Sequence, residues 1–170
     1  MGWRKMNDVA AAPLCLHRAR VRPEWVDYNR HMNEAYYVLV FGDATDAFYD
    51  YIGLDDAFRR REEISIYTVE AHIRYLIEAP EGEALEVATR VLGYDSKRLR
   101  LHHSMARARD GAILVVTEIS ALHVDKRVLK ACPFHAEKLA RIAAIARAQA
   151  AVPAPVPAMS SHWATAVIAG

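Results

Sequence analysis

A run of seven residues carries most of the reactive groups that the sequence offers. The run reads Asp27, Tyr28, Asn29, Arg30, His31, Met32 and Asn33. A carboxylate in such a set can activate water as a general base or attack as a nucleophile. The amides can orient water, and the imidazole can donate to a carbonyl oxygen or assist proton movement. These residue types together predict a site for hydrolytic chemistry.

An apolar segment of helical length, residues 34–52, follows this run at once. Asn33 can cap that helix, because its side-chain oxygen accepts free N–H groups of the first turn. A helix start also presents unpaired N–H groups and the positive end of a dipole, which suit a developing oxyanion. We therefore expect a polar loop at the start of a largely buried helix, with Gly53 as the stop at its far end.

Composition places the chain among ordinary globular proteins. Of its 170 residues 53% are hydrophobic and 25% charged, and the formal net charge is +1. The length fits one domain with some tail, and the charge implies no nucleic-acid partner. No apolar run reaches the roughly 18 residues of a membrane span, so we expect neither a membrane partner nor a secretory signal. Cys15 and Cys132 are interpreted as free thiols of a cytoplasmic protein, although a single disulfide remains open.

Periodicity predicts five strands and two helices. Alternation of apolar and polar residues indicates four half-buried strands, and a fifth segment that is apolar on both faces is typical of a central strand. The predicted strands are residues 14–21, 64–77, 84–92, 98–108 and 112–124. Turn signals, the strongest of which is Asp110-Gly111, join the last four as hairpins. A charged connector is expected over residues 55–63 and a terminal helix over 134–149.

The resulting order is strand, long apolar helix, four strands and terminal helix. One antiparallel sheet of about five strands must bend around the single central helix in order to bury it. This arrangement is the hot-dog fold of the α+β class. The chain divides into a flexible leader (1–13), the hot-dog domain (14–133), a C-terminal helix (134–149) and an Ala/Pro-rich tail (150–170).

In these elements and motifs the chain resembles the hot-dog acyl-CoA thioesterases, in the branch related to 4-hydroxybenzoyl-CoA thioesterases. The resemblance is carried by Asp27-x-Asn29-x-His31-Met32-Asn33 followed by Tyr36 and Tyr37, by residues 67–76 followed by Gly82, and by residues 95–98. The terminal helix and tail resemble the subset of betainyl-CoA or carnitine-pathway thioesterases. One departure is Arg30, where relatives often have Gly, and this side chain adds bulk and charge beside the expected site.

The resemblance implies hydrolysis of a small or short-chain acyl-CoA, with betainyl-CoA among the candidates, to free acid and CoA. It implies that Asp27 is general base or nucleophile, and both routes stay open. Asn29 would orient water or the carboxylate, and His31 would assist at the carbonyl oxygen. Backbone N–H groups of residues 33–35 would form the oxyanion site, or Asn33 would serve only as a cap. No cofactor is expected to be required, since CoA enters as part of the substrate.

Basic and aromatic residues are the expected substrate contacts. We assign Lys97, Arg98 and Arg100 to the CoA phosphates ahead of residues 59–61, because the resemblance places that turn near the CoA entrance. A quaternary ammonium acyl group would sit on aromatic faces. The aromatic candidates are Trp25, Tyr28, Tyr36, Tyr67 and Tyr75, and Glu70 is added to this pocket. Core packing explains single aromatics equally well, and Glu70 has a solvent-facing or interface position as its alternative.

Other functions and assemblies are weighed against this interpretation. No metal site is predicted, because adjacent His102 and His103 must point to opposite faces and no cysteine or acidic cluster completes a ligand set. A noncatalytic acyl-CoA-binding module and a hot-dog dehydratase or hydratase are the alternative functions. An exposed sheet edge is commonly paired with another chain, so we expect a homodimer or homotetramer with Asp27 facing the partner subunit. CoA and an acyl carrier protein both remain open as carriers.

Overall fold

The computed structural model describes residues 13–152. The strands are β1 (Leu14–Arg20), β2 (Ile64–Tyr75), β3 (Ala84–Tyr94), β4 (Arg98–Arg107), β5 (Ile113–Asp125) and β6 (Lys130–Ala131). The helices are α1 (Glu34–Tyr51), α2 (Asp56–Arg61) and α3 (Ala136–Gln149), and a single 3₁₀ turn spans Pro23–Trp25. The predicted leader and tail lie outside the described residues, apart from Pro13 and residues 150–152.

The strands form one sheet with the order β1-β3-β4-β5-β2, in which every pairing is antiparallel. All five predicted strands are present, and their bounds lie within two residues of the prediction. The hairpin predicted between β2 and β3 is wrong, because β2 pairs with β5 and β3 lies between β1 and β4. β5 lies between β4 and β2 and is largely buried on both faces, as its apolar sequence predicted. The two-residue β6, which pairs with β5, was not predicted because so short a segment carries no periodicity.

Local signals at both ends fix the position of α1. The Asn33 side-chain oxygen accepts the Ala35 N–H at 3.0 Å and so caps the first turn. Gly53 stands just beyond the last turn with a φ of 79°, in the left-handed region that favours glycine. Between these ends Val40 and Phe48 are completely buried against the sheet. The predicted helix therefore lies where capping and burial require.

The sheet of one chain does not enclose α1 completely. Val38 and Leu39 on the helix are 50% and 49% exposed, although the apolar circumference of α1 predicted that it would be wrapped. On β2, which is an edge strand, Tyr67 and Val69 are 44% and 60% exposed. Apolar side chains on the helix and on the sheet edge thus remain in contact with water in the single chain.

His103 ties the middle of α1 to the inner face of the sheet. Its Nε2 lies 3.0 Å from Thr45 Oγ1, and its Nδ1 lies 3.0 Å from Thr89 Oγ1. The Thr45 hydroxyl donates its only hydrogen to the Phe41 carbonyl, so it must accept from His103 Nε2–H. Nδ1 is therefore the acceptor, and the Thr89 hydroxyl donates to it. Burial, with a smaller contribution from His102, lowers the pKa of His103 to about 3.

The terminal helix closes one end of the structure. Ile142 and Ile145 of α3 are buried in the core cluster that also holds Phe48. β1 begins opposite Thr89, so β3 has no β1 partner beyond that point. The Gln149 side chain takes this place, accepting the Val91 N–H at 2.9 Å and donating to the Thr89 carbonyl at 3.3 Å. Within residues 13–152, no helix is long and apolar enough to cross a membrane.

The neutral state of His103 predicts that the fold loses stability in acid. The imidazole of the unfolded chain binds a proton near pH 6.5, whereas the folded pKa is about 3, so the unfolded state binds more protons between these values. The contribution of neutral His103 to the free energy of unfolding is complete above about pH 6.5. It falls by up to about 1.4 kcal/mol per pH unit as the pH drops toward 3. Urea unfolding at pH 7, 6 and 5 measures this slope.

His103→Gln should flatten the slope, because glutamine keeps a donor and an acceptor but takes no proton. Part of the slope should remain, since burial also lowers the pKa values of His102 and His123. His72→Gln, at an exposed position, is the matched control. An unchanged slope in the His103 variant would contradict this assignment.

Candidate active site

The loop of residues 26–33 folds back on itself between β1 and α1. The Asp27 N–H donates to the His31 carbonyl at 3.0 Å, and the Arg30 N–H donates to the Asp27 carbonyl at 2.9 Å. Val26 and Met32 form an isolated antiparallel bridge at the base of this loop. The loop is therefore a small closed turn rather than an irregular connection.

Two neighbouring segments hold this loop in place. The Met32 N–H donates to the Ala79 carbonyl at 2.8 Å, and His31 forms a bridge with Pro80. On the other side the Asn33 N–H donates to the Trp25 carbonyl at 2.9 Å. The segment before β3 and the 3₁₀ turn after β1 thus position the residues that the sequence analysis selected.

The carboxylate of Asp27 is oriented by its own loop. Its Oδ1 accepts the backbone N–H of Asn29 at 2.8 Å, which is an Asx turn. Oδ2 makes no hydrogen bond with any described residue. Asp27 and His31 are partly exposed, and Asn29 is exposed. One carboxylate oxygen is therefore fixed, and the other remains free to accept a proton or attack a carbonyl carbon.

Backbone N–H groups at the start of α1 are mostly occupied. Those of Asn33 and Ala35 donate to the Trp25 carbonyl and to the Asn33 side chain, and that of Tyr36 donates to the Asn33 carbonyl. Among the described residues the Glu34 N–H has no acceptor. Of the three N–H groups expected for an oxyanion, only that of Glu34 is thus available, and the Asn33 side chain serves as the helix cap.

Arg30 occupies a strained backbone position beside Asp27. Its φ is 64°, in the left-handed region that costs a non-glycine residue roughly 1–2 kcal/mol. The conformation explains why glycine suits this position of the loop. The Arg30 side chain is exposed and makes no hydrogen bond or ion pair with the described residues. The guanidinium is therefore a solvent-exposed positive charge on the same loop as Asp27.

The predicted aromatic residues do not share one environment. Trp25 is buried, with Tyr36 stacked on its ring at 5.4 Å and the Arg22 guanidinium 5.1 Å from its centroid. Both contacts identify Trp25 as a packing residue. Tyr36 belongs to the first turn of α1, and Tyr75 lies beside it, with its hydroxyl 3.4 Å from the Glu34 carbonyl. Both side chains are at least partly exposed. Tyr28 is 92% exposed on the loop itself.

The remaining predicted contacts lie at the opposite end of the same chain. Arg98 is opposite Leu122, which is opposite Tyr67 at the beginning of β2. Tyr75, which contacts the start of α1, stands eight residues further along β2, or about 26 Å away along an extended strand. The same end holds Lys97, and Arg100 is two residues further along β4. Within one chain, therefore, the structure does not bring Lys97, Arg98, Arg100 or Tyr67 together with Asp27.

Glu70 and the basic hairpin already have partners. Glu70 lies just after a register shift in β2, and its carboxylate is 2.6 Å from His72 Nε2. Arg98 forms an ion pair with Asp95 at 3.3 Å, and Arg100 forms one with buried Glu118 at 3.4 Å. Lys97 is exposed. Among residues 13–152, no group of three or more His, Cys, Asp or Glu is placed to bind a metal ion.

Comparison with known proteins decides the family. The thioesterase-like superfamily matches residues 21–160, which is most of the chain. The chain belongs to the thioesterase-like superfamily. It is 43% identical to a betainyl-CoA thioesterase from Pseudomonas aeruginosa over 142 residues, which cover 84% of this chain and 89% of that protein.

Other relatives and solved structures extend this result. An L-carnitine dehydrogenase/betainyl-CoA thioesterase from Agrobacterium fabrum is 52% identical over 68% of this chain, but the match spans only 23% of that longer protein. A candidate thioesterase from Pseudomonas putida has a TM-score of 0.74 at 35% identity, covering 93% of this chain and 97% of that one. A Staphylococcus aureus protein solved with CoA has a TM-score of 0.77 at 24% identity, covering 93% and 96%, and supports the fold.

The hot-dog fold and the thioester hydrolase class predicted from the sequence are therefore confirmed. The sequence analysis missed two supports of the site, which are the Tyr37 hydroxyl and the segment around Ala79. Tyr37 on α1 accepts the Ala79 N–H at 3.0 Å with its hydroxyl, and Ala79 in turn holds Met32. Tyr37 was noted only within the motif, and the turn signal that follows Ala79 predicted a connection between strands but no contact with α1.

The strained φ of Arg30 gives a stability prediction. Arg30→Gly should raise the free energy of unfolding by about 1 kcal/mol, because glycine adopts this conformation without the Cβ penalty. Glu63→Gly, at a φ of 52° and remote from Asp27 in sequence, is the matched control and should also stabilise. Denaturant titration measures both. A destabilised Arg30 variant beside a stabilised Glu63 variant would contradict strain relief and indicate a stabilising role for the guanidinium.

Proposed function

We propose that this thioesterase hydrolyses a small acyl-CoA, with betainyl-CoA as the first candidate, to the free acid and CoA. The observation that carries the proposal is the carboxylate of Asp27, which is fixed through one oxygen in a loop that leads directly into α1, where the Glu34 N–H has no acceptor among the described residues. A base or nucleophile and an oxyanion donor thus belong to one loop-and-helix segment. The names of the relatives from Pseudomonas aeruginosa and Agrobacterium fabrum support the betainyl group.

In the first route Asp27 acts as a general base. Water attacks the thioester carbonyl carbon as its proton passes to the carboxylate, and the carbonyl oxygen becomes an oxyanion that accepts the Glu34 N–H. The C–S bond then breaks, the carbonyl reforms, and the thiolate of CoA takes up the proton. In the second route Asp27 attacks the carbonyl carbon itself, CoA leaves, and water hydrolyses the resulting anhydride. Both routes use the same oxyanion donor.

Asn29 and His31 have supporting roles in the proposal. The Asn29 backbone N–H orients the carboxylate, and its exposed side-chain amide would position the water. His31 would donate to the carbonyl oxygen or pass a proton to the leaving thiolate. Neither step needs a metal or a cofactor, and CoA enters only with the substrate. We place this reaction in the cytoplasm, where Cys15 and Cys132, which are free in the structure, would stay reduced.

A quaternary ammonium acyl group would be bound by aromatic faces. Trp25 is buried in contact with Tyr36 and Arg22, so Tyr36, Tyr75 and Tyr28 are the better placed members of the predicted pocket. The positive charge of Arg30 disfavours a close approach by the cationic acyl group from its side. The same charge suits the phosphates of CoA.

Assembly as a homodimer would complete the site. β2 is an unpaired edge that carries exposed Tyr67 and Val69, and α1 exposes Val38 and Leu39. A two-fold axis at this edge pairs the two β2 strands antiparallel, which is the common way to remove an open edge. Such pairing would also cover the apolar side chains of the helix.

Antiparallel pairing would bring opposite ends of the two chains together. The beginning of β2 in one subunit would lie beside the end of β2 in the other, and so beside its Asp27. Tyr67 and the hairpin with Lys97 and Arg98 would then approach the active site of the partner subunit. In this arrangement the hairpin would meet the CoA phosphates, with Arg100 behind it and Glu70 near the seam. Further association to a tetramer stays open.

Substitution of Asp27 tests the proposed chemistry. Asp27→Asn should lower turnover by at least about 100-fold, because an amide neither accepts the proton nor attacks the carbonyl carbon. The fold should persist, since Asn can accept the Asn29 N–H in the same turn. Thiol release from acetyl-, 4-hydroxybenzoyl- and betainyl-CoA measures the reaction.

Asp50→Asn, at an exposed carboxylate in the last turn of α1, should keep wild-type turnover. Near wild-type turnover in the Asp27 variant would exclude both routes. A wild-type protein that binds but does not hydrolyse all three esters would instead support a noncatalytic acyl-CoA-binding module.

Substitution of an edge residue tests the dimer. Val69→Lys should yield a monomer with sharply reduced turnover, because it puts a charge into the proposed pairing edge. Val128→Lys is the matched control, since both valines are 60% exposed but Val128 is not in the sheet. Sedimentation equilibrium gives the mass of each variant. A Val69 variant that stays dimeric would place the interface elsewhere.

A further inference from the structure

We propose that Tyr37 is a positioning residue that fixes the Asp27 loop to the start of α1 through its hydroxyl. This role rests on the proposed function and adds a residue to it. Tyr37 belongs to α1 and not to the loop that carries Asp27. It acts through the segment before β3, and the structure gives each link of this connection.

The connection has three links. The Tyr37 hydroxyl accepts the N–H of Ala79 at 3.0 Å. The Ala79 carbonyl accepts the N–H of Met32 at 2.8 Å, and Pro80 bridges His31. The His31 carbonyl accepts the N–H of Asp27 at 3.0 Å. A single side chain of the helix thus sets where the carboxylate stands relative to the helix N-terminus.

The links are protected from water. Tyr37 is 3% exposed, Met32 is 4% exposed, and Ala79 is completely buried. A buried N–H left without an acceptor is unfavourable, so Ala79 holds the hydroxyl firmly. The ring of Tyr37 also packs edge-on against Tyr75 with centroids 5.6 Å apart, which fixes its direction. Little freedom remains for the segment to shift while this bond is intact.

The hydroxyl is neutral at physiological pH and keeps its own hydrogen. Burial raises the pKa of Tyr37, and the negative charges of Glu78 and Asp27 raise it further, against an opposing effect of the Ala79 N–H. Because the oxygen accepts from Ala79, the hydroxyl is an acceptor in this connection and needs no change of protonation state to hold it.

Packing alone would explain the ring of Tyr37 but not its hydroxyl. Phenylalanine would fill the same space and keep the contact with Tyr75. Tyr49 shows the contrast, because it is equally buried on the same helix and its hydroxyl has no partner among the described residues. Tyr37→Phe and Tyr49→Phe therefore form a matched pair that removes one anchored and one unanchored hydroxyl from the same helix.

Steady-state kinetics of this pair test the role. With betainyl-CoA and acetyl-CoA as substrates, Tyr37→Phe should lower kcat by about 10- to 100-fold and leave KM within about twofold, since small displacements of a reacting group have effects of this size. Tyr49→Phe should keep kcat within twofold. The kcat values of both variants are measured well below their Tm. Under these conditions a substitution that only weakens the fold would lower Tm and leave kcat unchanged.

Hydrogen exchange in the wild-type protein provides a measurement that does not depend on the variant. The amides of Ala79 and Met32 should exchange as slowly as the first protected amides of α1, because one connected set of bonds holds them. Exchange of both at rates typical of an open loop would overturn the role. So would an active wild type whose Tyr37→Phe variant keeps its kcat within twofold. A wild type inert toward every ester would overturn the proposed function instead.

Discussion

Hydrogen bonding at the first turn of α1 is the constraint on which the candidate site depends. A helix start offers more N–H donors than its own carbonyls can satisfy, and each must find an acceptor or remain open. Here Trp25 and Asn33 supply acceptors for the neighbours of Glu34. The helix therefore begins at a fixed residue, and the N–H of Glu34 is left without an acceptor among the described residues. The same cap that stabilises the helix thus selects where negative charge can be held.

The incomplete enclosure of α1 links the fold to assembly. A five-stranded sheet has two edges, and in this topology they are β1 and β2. The β1 side is continued by the last turn of α3 through Gln149, whereas β2 keeps its exposed valine and tyrosine side chains. The exposed apolar side chains of β2 make this edge suited to association with another chain. Fold and site would then be completed by the same contact.

Sequence patterns predicted the architecture well because each element carries its own signal. Alternation along β2 to β4 and the cap at Asn33 are local properties, which can be recognised in a single amino-acid sequence. Distances between the two ends of the sheet are not local properties. For this reason Lys97 and Arg98 were assigned to the same site as Asp27, although they lie at opposite ends of a single chain. Contacts such as that of Tyr37 with Ala79 join residues 42 positions apart and have no periodic signature. Candidate reactive residues could thus be proposed from the sequence, whereas the contacts that hold them in place could not.

The fully bonded imidazole of His103 has a spectroscopic consequence. Its Nε2 hydrogen is held by Thr45 at the centre of the core, where solvent has no access. Ring N–H hydrogens of histidine normally exchange with water too quickly to be observed, but this one is shielded on both sides. It should give a resolved downfield proton resonance, and that single line would report the contact of helix and sheet during folding, ligand binding or subunit exchange.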